Sequence, residues 1–182
     1  MTPLPESRTV RQRIVSTVEY MVREGTAADA DTLLGLIDAL ADYEHLPRPD
    51  EEARRRVVEH GFGAGERLFR ALLVENGGQA MGYAIYFFTY STFLARPTLY
   101  LEDIFVLPEE RQHGYGAALM RQVARVALDA GCGRLEWQVL DWNELALGFY
   151  HKLGAKHMRE WLPYRLTRED MARLADQEQE GR

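Results

Sequence analysis

Two spacings of apolar residues run along this chain, a period of two and a period near 3.6, and the switches between them mark its elements. Val18 to Arg23 alternates as a short strand. Thr26, with Asp29 three positions on, signals a helix start, and Leu33, Leu36, Ile37 and Leu40 then recur at helical spacing. Pro47 and Pro49 interrupt the chain before a highly charged second helix, from about Asp50 to His60. Leu68 to Glu75 and Gln79 to Thr89 read as strands joined by Asn76-Gly77-Gly78, a tight hairpin turn. Tyr90 to Pro97 predicts a loop and Thr98 to Leu107 a third apolar strand. The next helix puts Leu119, Met120, Val123, Val126 and Ala127 on its inner face and ends at Gly131 and Gly133. Leu135, Trp137 and Val139 alternate as a strand. Asn143 caps a helix carrying Ala146, Phe149, Tyr150 and Leu153, closed by Gly154. Trp161 to Leu166 predicts a last strand, and Arg168 onward a charged helix. Strands and helices in this order predict an α+β domain with a mixed central sheet flanked by helices. Residues 1–15, with Pro3, Pro5 and scattered arginines, read as a mobile extension, and 16–182 as a single domain.

Composition narrows the partners. The 182 residues are 46% apolar and 27% charged, ordinary for a globular domain. The net charge of −6 speaks against nucleic acid and anionic membrane as partners and permits a cationic one. No apolar run approaches the roughly 20 residues of a membrane span. Met1 to Val15 lacks the apolar core of a secretory signal, so a cytoplasmic protein is expected. Cys132 alone can form neither an internal disulfide nor a multi-cysteine metal site, and the five histidines show no metal-ligand spacing.

Two places carry chemistry. In the strand Leu99-Tyr100-Leu101-Glu102-Asp103-Ile104-Phe105-Val106-Leu107, strict alternation puts Glu102 on one face and Asp103 on the other. A carboxylate there needs a partner or water, and Asp103 reads equally as structural or functional. Glu102 is the better candidate for a general base, because burial raises a carboxylate's pKa toward the useful range. After Pro108, Arg111-Gln112-His113-Gly114-Tyr115-Gly116 turns into an alanine-rich helix. Gly114 and Gly116 bare the backbone, leaving amides at a helix N-terminus that suit an anion such as a pyrophosphate. The lysine of a nucleotide-hydrolase phosphate loop and the third glycine of a dinucleotide fingerprint are both missing.

Arg-x-x-Gly-x-Gly after an apolar strand ending in Leu-Pro resembles the acetyl-CoA pyrophosphate motif of the GNAT acetyltransferase superfamily. Phe88-Thr89-Tyr90-Ser91-Thr92-Phe93, Leu99 to Val106, Val139-Leu140-Asp141-Trp142-Asn143 and Phe149-Tyr150 resemble the diamine acetyltransferases, which include spermidine/spermine and thialysine acetyltransferases. Tyr43-Glu44 fits as well, and the likeness spans roughly residues 18 to 175. It implies a GNAT fold and acetyl-CoA as co-substrate. The backbone of Ile104, Phe105 and Val106 would pair with the pantetheine arm. Arg111 and the amides of Gln112, His113, Gly114, Tyr115, Gly116 and Ala117 would form the pyrophosphate site, with Asn143 nearer the thioester. Tyr150 would be the general acid for the departing thiolate and Glu102 the base, acting directly or through water. Tyr43, Glu44, Glu102 and Asp103 would line the amine site. The implied reaction is direct acetyl transfer to a small amine with no acyl-enzyme, in a homodimer whose contact Trp161 and Tyr164 would suit.

The residue types agree with that chemistry. An alkylamine with a pKa near 10.4 is neutral in only about one molecule in a few thousand at pH 7, so an acidic pocket both binds the cation and takes its proton. Tyr150 could equally be core, since it lies beside Phe149 on the apolar face. Gln112 stands where the family has a glycine. Ser91 stands where polyamine-specific members carry an acid, and Phe93 replaces a tryptophan. A GNAT enzyme acting on a protein N-terminus, and a non-catalytic acetyl-CoA-binding module, are the alternative readings.

Overall fold

The computed structural model describes residues 19–176 and the backbone of residues 10–12. It has two compact units, Met1–Gln138 and Val139–Arg182. In the first, β1 (Val10–Gln12), β2 (Tyr20–Glu24), β3 (Arg70–Asn76), β4 (Gln79–Ser91), β5 (Arg96–Val106) and β6 (Arg134–Trp137) form one sheet in chain order. Four junctions are antiparallel, and β5–β6 is parallel. A parallel pair needs a crossover, which α3 (Tyr115–Asp129) supplies. Helices α1 (Ala30–Tyr43) and α2 (Glu51–Phe62) come before β3.

Both faces of the sheet are covered. Leu33 and Leu36 of α1 cluster with Ala71, Leu73, Tyr83, Ile85 and Phe105. Successive strand residues point to opposite faces, so Leu72 and Val74 turn to the other side. There α3 lies against β2, β3, β4 and β5 and buries Tyr115, Ala118, Leu119, Met120 and Val123. The consecutive run Leu72-Leu73-Val74 is wholly buried, as a strand sandwiched between helices requires. Each such leucine contributes about 1.5–3 kcal/mol.

Most predicted elements form, with informative departures. The helix start at Thr26 is a 3-10 turn, Ala27–Asp29, before α1 proper. Thr26 donates both its amide and its hydroxyl to Asp29 Oδ2 at 2.8 Å, while Asp29 also accepts two bonds from Arg23. That shared carboxylate tightens the first turn. The predicted Tyr90–Pro97 loop shrinks to four residues, because β4 runs to Ser91 and β5 starts at Arg96. Ser91 Oγ accepts from the Leu94 amide at 3.3 Å and closes that hairpin.

In the second unit, α4 (Glu144–Lys152) and α5 (Arg168–Asp176) form where the sequence places helices. Asn143 accepts from the Ala146 amide at 3.1 Å, as expected of an N-cap. The strand predicted at Trp161–Leu166 does not form. Pro163 removes an amide donor in mid-segment, and these residues pair with no neighbouring strand. Of the expected mobile extension, Val10–Gln12 pairs with β2 through its backbone. The rest of residues 1–15 lies outside the described residues.

The tightest packing beneath the site is at Gly82, which sits between Val74 of β3 and Val106 of β5. A Cβ there would lie 2.3 Å from the Phe105 carbonyl oxygen and 3.0 Å from Val106 Cα. Gly82→Ala should therefore lower the unfolding free energy by about 1–3 kcal/mol in denaturant titration. An unchanged midpoint would mean that β4 and β5 separate there at little cost.

Candidate active site

Strand β5 carries one residue too many for its partner. Ile85 pairs with Asp103, but the next residue, Tyr86, pairs with Leu101, so Glu102 is left over as a β-bulge. The alternation resets across it. Leu99 and Leu101 are buried away from the α1 cluster, whereas Phe105 belongs to that cluster, although all three would share a face in a regular strand. The expectation that Glu102 and Asp103 face opposite sides is overturned, since the extra residue turns Asp103 toward the α1 side as well. Burial also falls on the other carboxylate than expected. Glu102 is exposed, while Asp103 is half-buried and accepts from the Tyr83 hydroxyl at 3.4 Å.

This burial changes both partners. Desolvation, the Glu102 charge and the Glu44 charge raise the Asp103 carboxyl to about 6 against the opposing Tyr83 hydrogen bond. Tyr83 is pushed well above its ordinary value by burial and by Asp103, so its hydroxyl keeps its proton and donates. Burial also raises Glu44, which follows α1. Among the described residues no arginine or lysine forms an ion pair with Glu44, Glu102 or Asp103. Arg23, by contrast, is gripped by both Asp29 and Glu75.

From Val106 the chain passes through Leu107 and a 3-10 turn, Pro108–Glu110, into the Arg111–Gly116 segment. Gln112 has φ +68° and Gly114 φ +84°, so left-handed residues alternate with others and turn successive amides outward. The first bond of α3 runs from the Ala118 amide to the Gly114 carbonyl at 3.0 Å. The amides of Tyr115, Gly116 and Ala117 therefore precede the helix ladder. Gln112, His113 and Gly114 are exposed, and nothing lies within 4 Å of where a Gly114 Cβ would be. Open backbone and free amides at a helix start fit a diphosphate.

Two side chains of the motif point elsewhere than at an anion. Tyr115 is buried, stacks edge-on against Tyr20 at 5.6 Å, and its hydroxyl accepts from Asn76 Nδ2 at 2.9 Å. It pins the start of α3 to the sheet and leaves only its amide to the cradle. The Arg111 guanidinium lies 4.3 Å above the Tyr43 ring, and its Nε donates to the Val106 carbonyl at 3.2 Å. Ile104 and Val106 are half-buried and Phe105 is buried. In the second unit, Tyr150 is 8% exposed with Phe149 at 5.4 Å, and Asn143 is occupied as the α4 cap. Ser91 is buried in its hairpin and Phe93 is 97% exposed, so neither position supplies a charged or aromatic wall.

Sequence reasoning missed Tyr83, whose hydroxyl donates to the Asp103 carboxylate. The signal was a tyrosine in an otherwise aliphatic β4 run, Met81 to Ile85.

A mixed sheet that presents an anion cradle at the start of a crossover helix, with a bulged acidic strand leading into it, defines a transferase scaffold for a phosphate-bearing co-substrate. Residues 33–155 match the model of the acetyltransferase (GNAT) family. A thialysine N-epsilon-acetyltransferase of Bos taurus is 38% identical over 166 residues, 85% of this chain and 96% of that one. An integron cassette protein from the mobile metagenome of V. cholerae superposes with a TM-score of 0.74 at 23% identity, over 86% of this chain and 97% of that one. AAC(6')-Iy, solved with the bisubstrate analogue CoA-S-monomethyl-acetylneamine, has a TM-score of 0.68 at 21% identity, over 82% and 99%. The chain belongs to the GNAT acetyltransferase family, and its co-substrate is acetyl-CoA.

Two outcomes test this geometry. Between about pH 4 and 6 the folded Asp103 keeps a proton that the unfolded chain has released, so its contribution to stability falls as pH rises through that window. Asp103→Asn should flatten the fall in melting temperature over this range and melt above the parent at pH 7. A parallel pair of curves would remove the buried carboxyl from the account. Gln112→Gly should stabilise by up to about 1 kcal/mol, since glycine adopts the left-handed conformation without the Cβ penalty, with CoA affinity held within about twofold. A destabilised variant would show that the glutamine side chain makes a contact outweighing its backbone strain.

Proposed function

We propose that the protein moves an acetyl group from acetyl-CoA to a small cationic amine: a diamine, a polyamine or a thialysine-like amino acid. The observation that carries this reading is that three carboxylates, Glu44 after α1 and Glu102 and Asp103 on the strand that leads into the anion cradle, have no cationic side chain to pair them among the described residues. Desolvating carboxylates without a counter-ion is unfavourable, and an ammonium group supplies the missing charge. The thialysine specificity named for the bovine relative is of this chemical kind.

Acetyl-CoA supplies the activated acetyl thioester. The amides from Gln112 to Ala117 would hold its diphosphate, and the backbone of Ile104 to Val106 its pantetheine arm. Glu44 and Asp103 would bind the ammonium form, with Tyr43 as an aromatic wall. Glu102, exposed on the bulge and open to water, would accept the proton the amine must lose before it can attack. Asp103, with its raised carboxyl, is suited to share that proton. Tyr150 would donate to the departing thiolate, and Asn143 would contact the cofactor near the thioester, in keeping with the diamine acetyltransferases that this chain resembles. The reading treats residues 16–182 as one catalytic domain, working as a cytoplasmic homodimer with no nucleic-acid or membrane partner. The charge of −6 and the exposed Trp161 and Tyr164 support it.

Steady-state turnover of acetyl-CoA with putrescine, cadaverine, spermidine, lysine and thialysine tests the proposal. At least one amine should react, Asp103→Asn should raise its KM tenfold or more, and Tyr150→Phe should lower kcat by about a hundredfold. CoA binding without turnover of any amine would favour a non-catalytic module, and reaction confined to peptide N-termini would move the substrate to proteins. An unaltered rate in Tyr150→Phe would withdraw its acid role.

A further inference from the structure

The motif arginine is aimed away from the anion it would be expected to grip. Its guanidinium lies over Tyr43, 4.3 Å from the ring centroid, with Phe105 at 5.9 Å. Its Nε is tied back to the Val106 carbonyl at 3.2 Å. No carboxylate among the described residues pairs with it, so its charge is stabilised by aromatic faces and one carbonyl dipole. The contacts continue: the Tyr43 and Phe105 rings are 6.2 Å apart, Phe105 and Tyr83 6.3 Å, and the Tyr83 hydroxyl reaches Asp103 at 3.4 Å. One unbroken series of contacts thus runs from Arg111 to the half-buried Asp103 carboxylate. Tyr43 is the last residue of α1 and directly precedes Glu44, so whatever fixes its ring also fixes the end of that helix.

We propose that Arg111 is a positioning residue that couples the cofactor turn to the acceptor pocket through the ring of Tyr43, and that backbone amides, not this guanidinium, hold the diphosphate. The inference rests on the acceptor pocket proposed above. It has a physical consequence for the order of events. A diphosphate that orders the turn also orders Arg111, and with it the end of α1, so the acceptor is bound better once the cofactor is in place. A cation over an aromatic face is a modest interaction, and its loss should move acceptor binding by about five- to tenfold.

A double-mutant cycle tests it, with the acceptor that the parent turns over fastest among putrescine, cadaverine, spermidine, lysine and thialysine. CoA binding is measured separately by calorimetric titration without acceptor. Arg111→Met should raise the acceptor KM about five- to tenfold at saturating acetyl-CoA, while the CoA dissociation constant stays within about twofold. In a Tyr43→Leu background the same substitution should change the acceptor KM by less than about twofold, because the ring it acts through is gone. In a Tyr43→Phe background, which keeps the ring, its full effect should remain. If Arg111→Met does not fold, Arg111→Gln takes its place in the cycle with the same expectations. A tenfold or greater loss of CoA affinity would overturn the proposal by making Arg111 a phosphate ligand. So would an undiminished Arg111 effect in the Tyr43→Leu background. A parent protein that turns over none of the five amines sinks the acceptor reading itself, whereas normal turnover with an additive cycle sinks only the coupling.

Discussion

The extra residue in β5, opposite the junction of Ile85 and Tyr86, decides which carboxylate meets the aromatic face of the molecule. Without it Asp103 would share the side of Leu99 and Leu101, away from the α1 cluster and from Tyr83. With it Asp103 meets Tyr83, and Phe105 joins the α1 cluster. Pairing of β4 with β5 is regular on either side of the shift, so the sheet keeps its ladder while the pleat is re-aimed at one place. The close approach of Gly82 to Phe105 and Val106 holds the strand just beyond the bulge in place.

Electrostatics then separates structural from functional charges. Asp29 and Glu75 are both spent on Arg23, and their mutual grip holds Asp29 well below the usual carboxylate range. The same element types produce the opposite result at Asp103, whose neighbours are two further acids and a phenol. A fold that can place arginines beside its acids and does so at Arg23, Arg54 and Arg70 leaves this group without one. The cradle shows the complementary case, with bare amides and no acidic side chain among Arg111 to Ala117. Unpaired acids and bare amides thus lie at the two ends of a short stretch of chain, the pattern on which the proposed transfer from acetyl-CoA to an amine rests.

What was legible in the sequence was local. Gly114 and Gly116 at a helix start and the Asn76-Gly77-Gly78 hairpin all act within a few residues, and each formed where read. The bulge was not legible, because register is a relation between β4 and β5 and leaves no mark on β5 alone. The facing and the burial of Glu102 and Asp103 were misjudged for that reason: alternation was the right rule applied across the place where it breaks. Trp161–Leu166 has strand-like residues, but Pro163 removes a donor in mid-segment and no strand forms there. The stacking of Arg111 on Tyr43 joins residues far apart in sequence, and no spacing rule anticipates it.

The central claim is that the pocket around Asp103 receives the acceptor's charge. A crystal structure with a conjugate joining CoA to a diamine through an acetyl bridge tests it most directly. The account predicts the free ammonium within about 4 Å of the Asp103 or Glu44 carboxylate, with the diphosphate on the amides of Gln112 to Ala117. A diphosphate seated there with the ammonium bound elsewhere, and Asp103 touching only Tyr83, would contradict it.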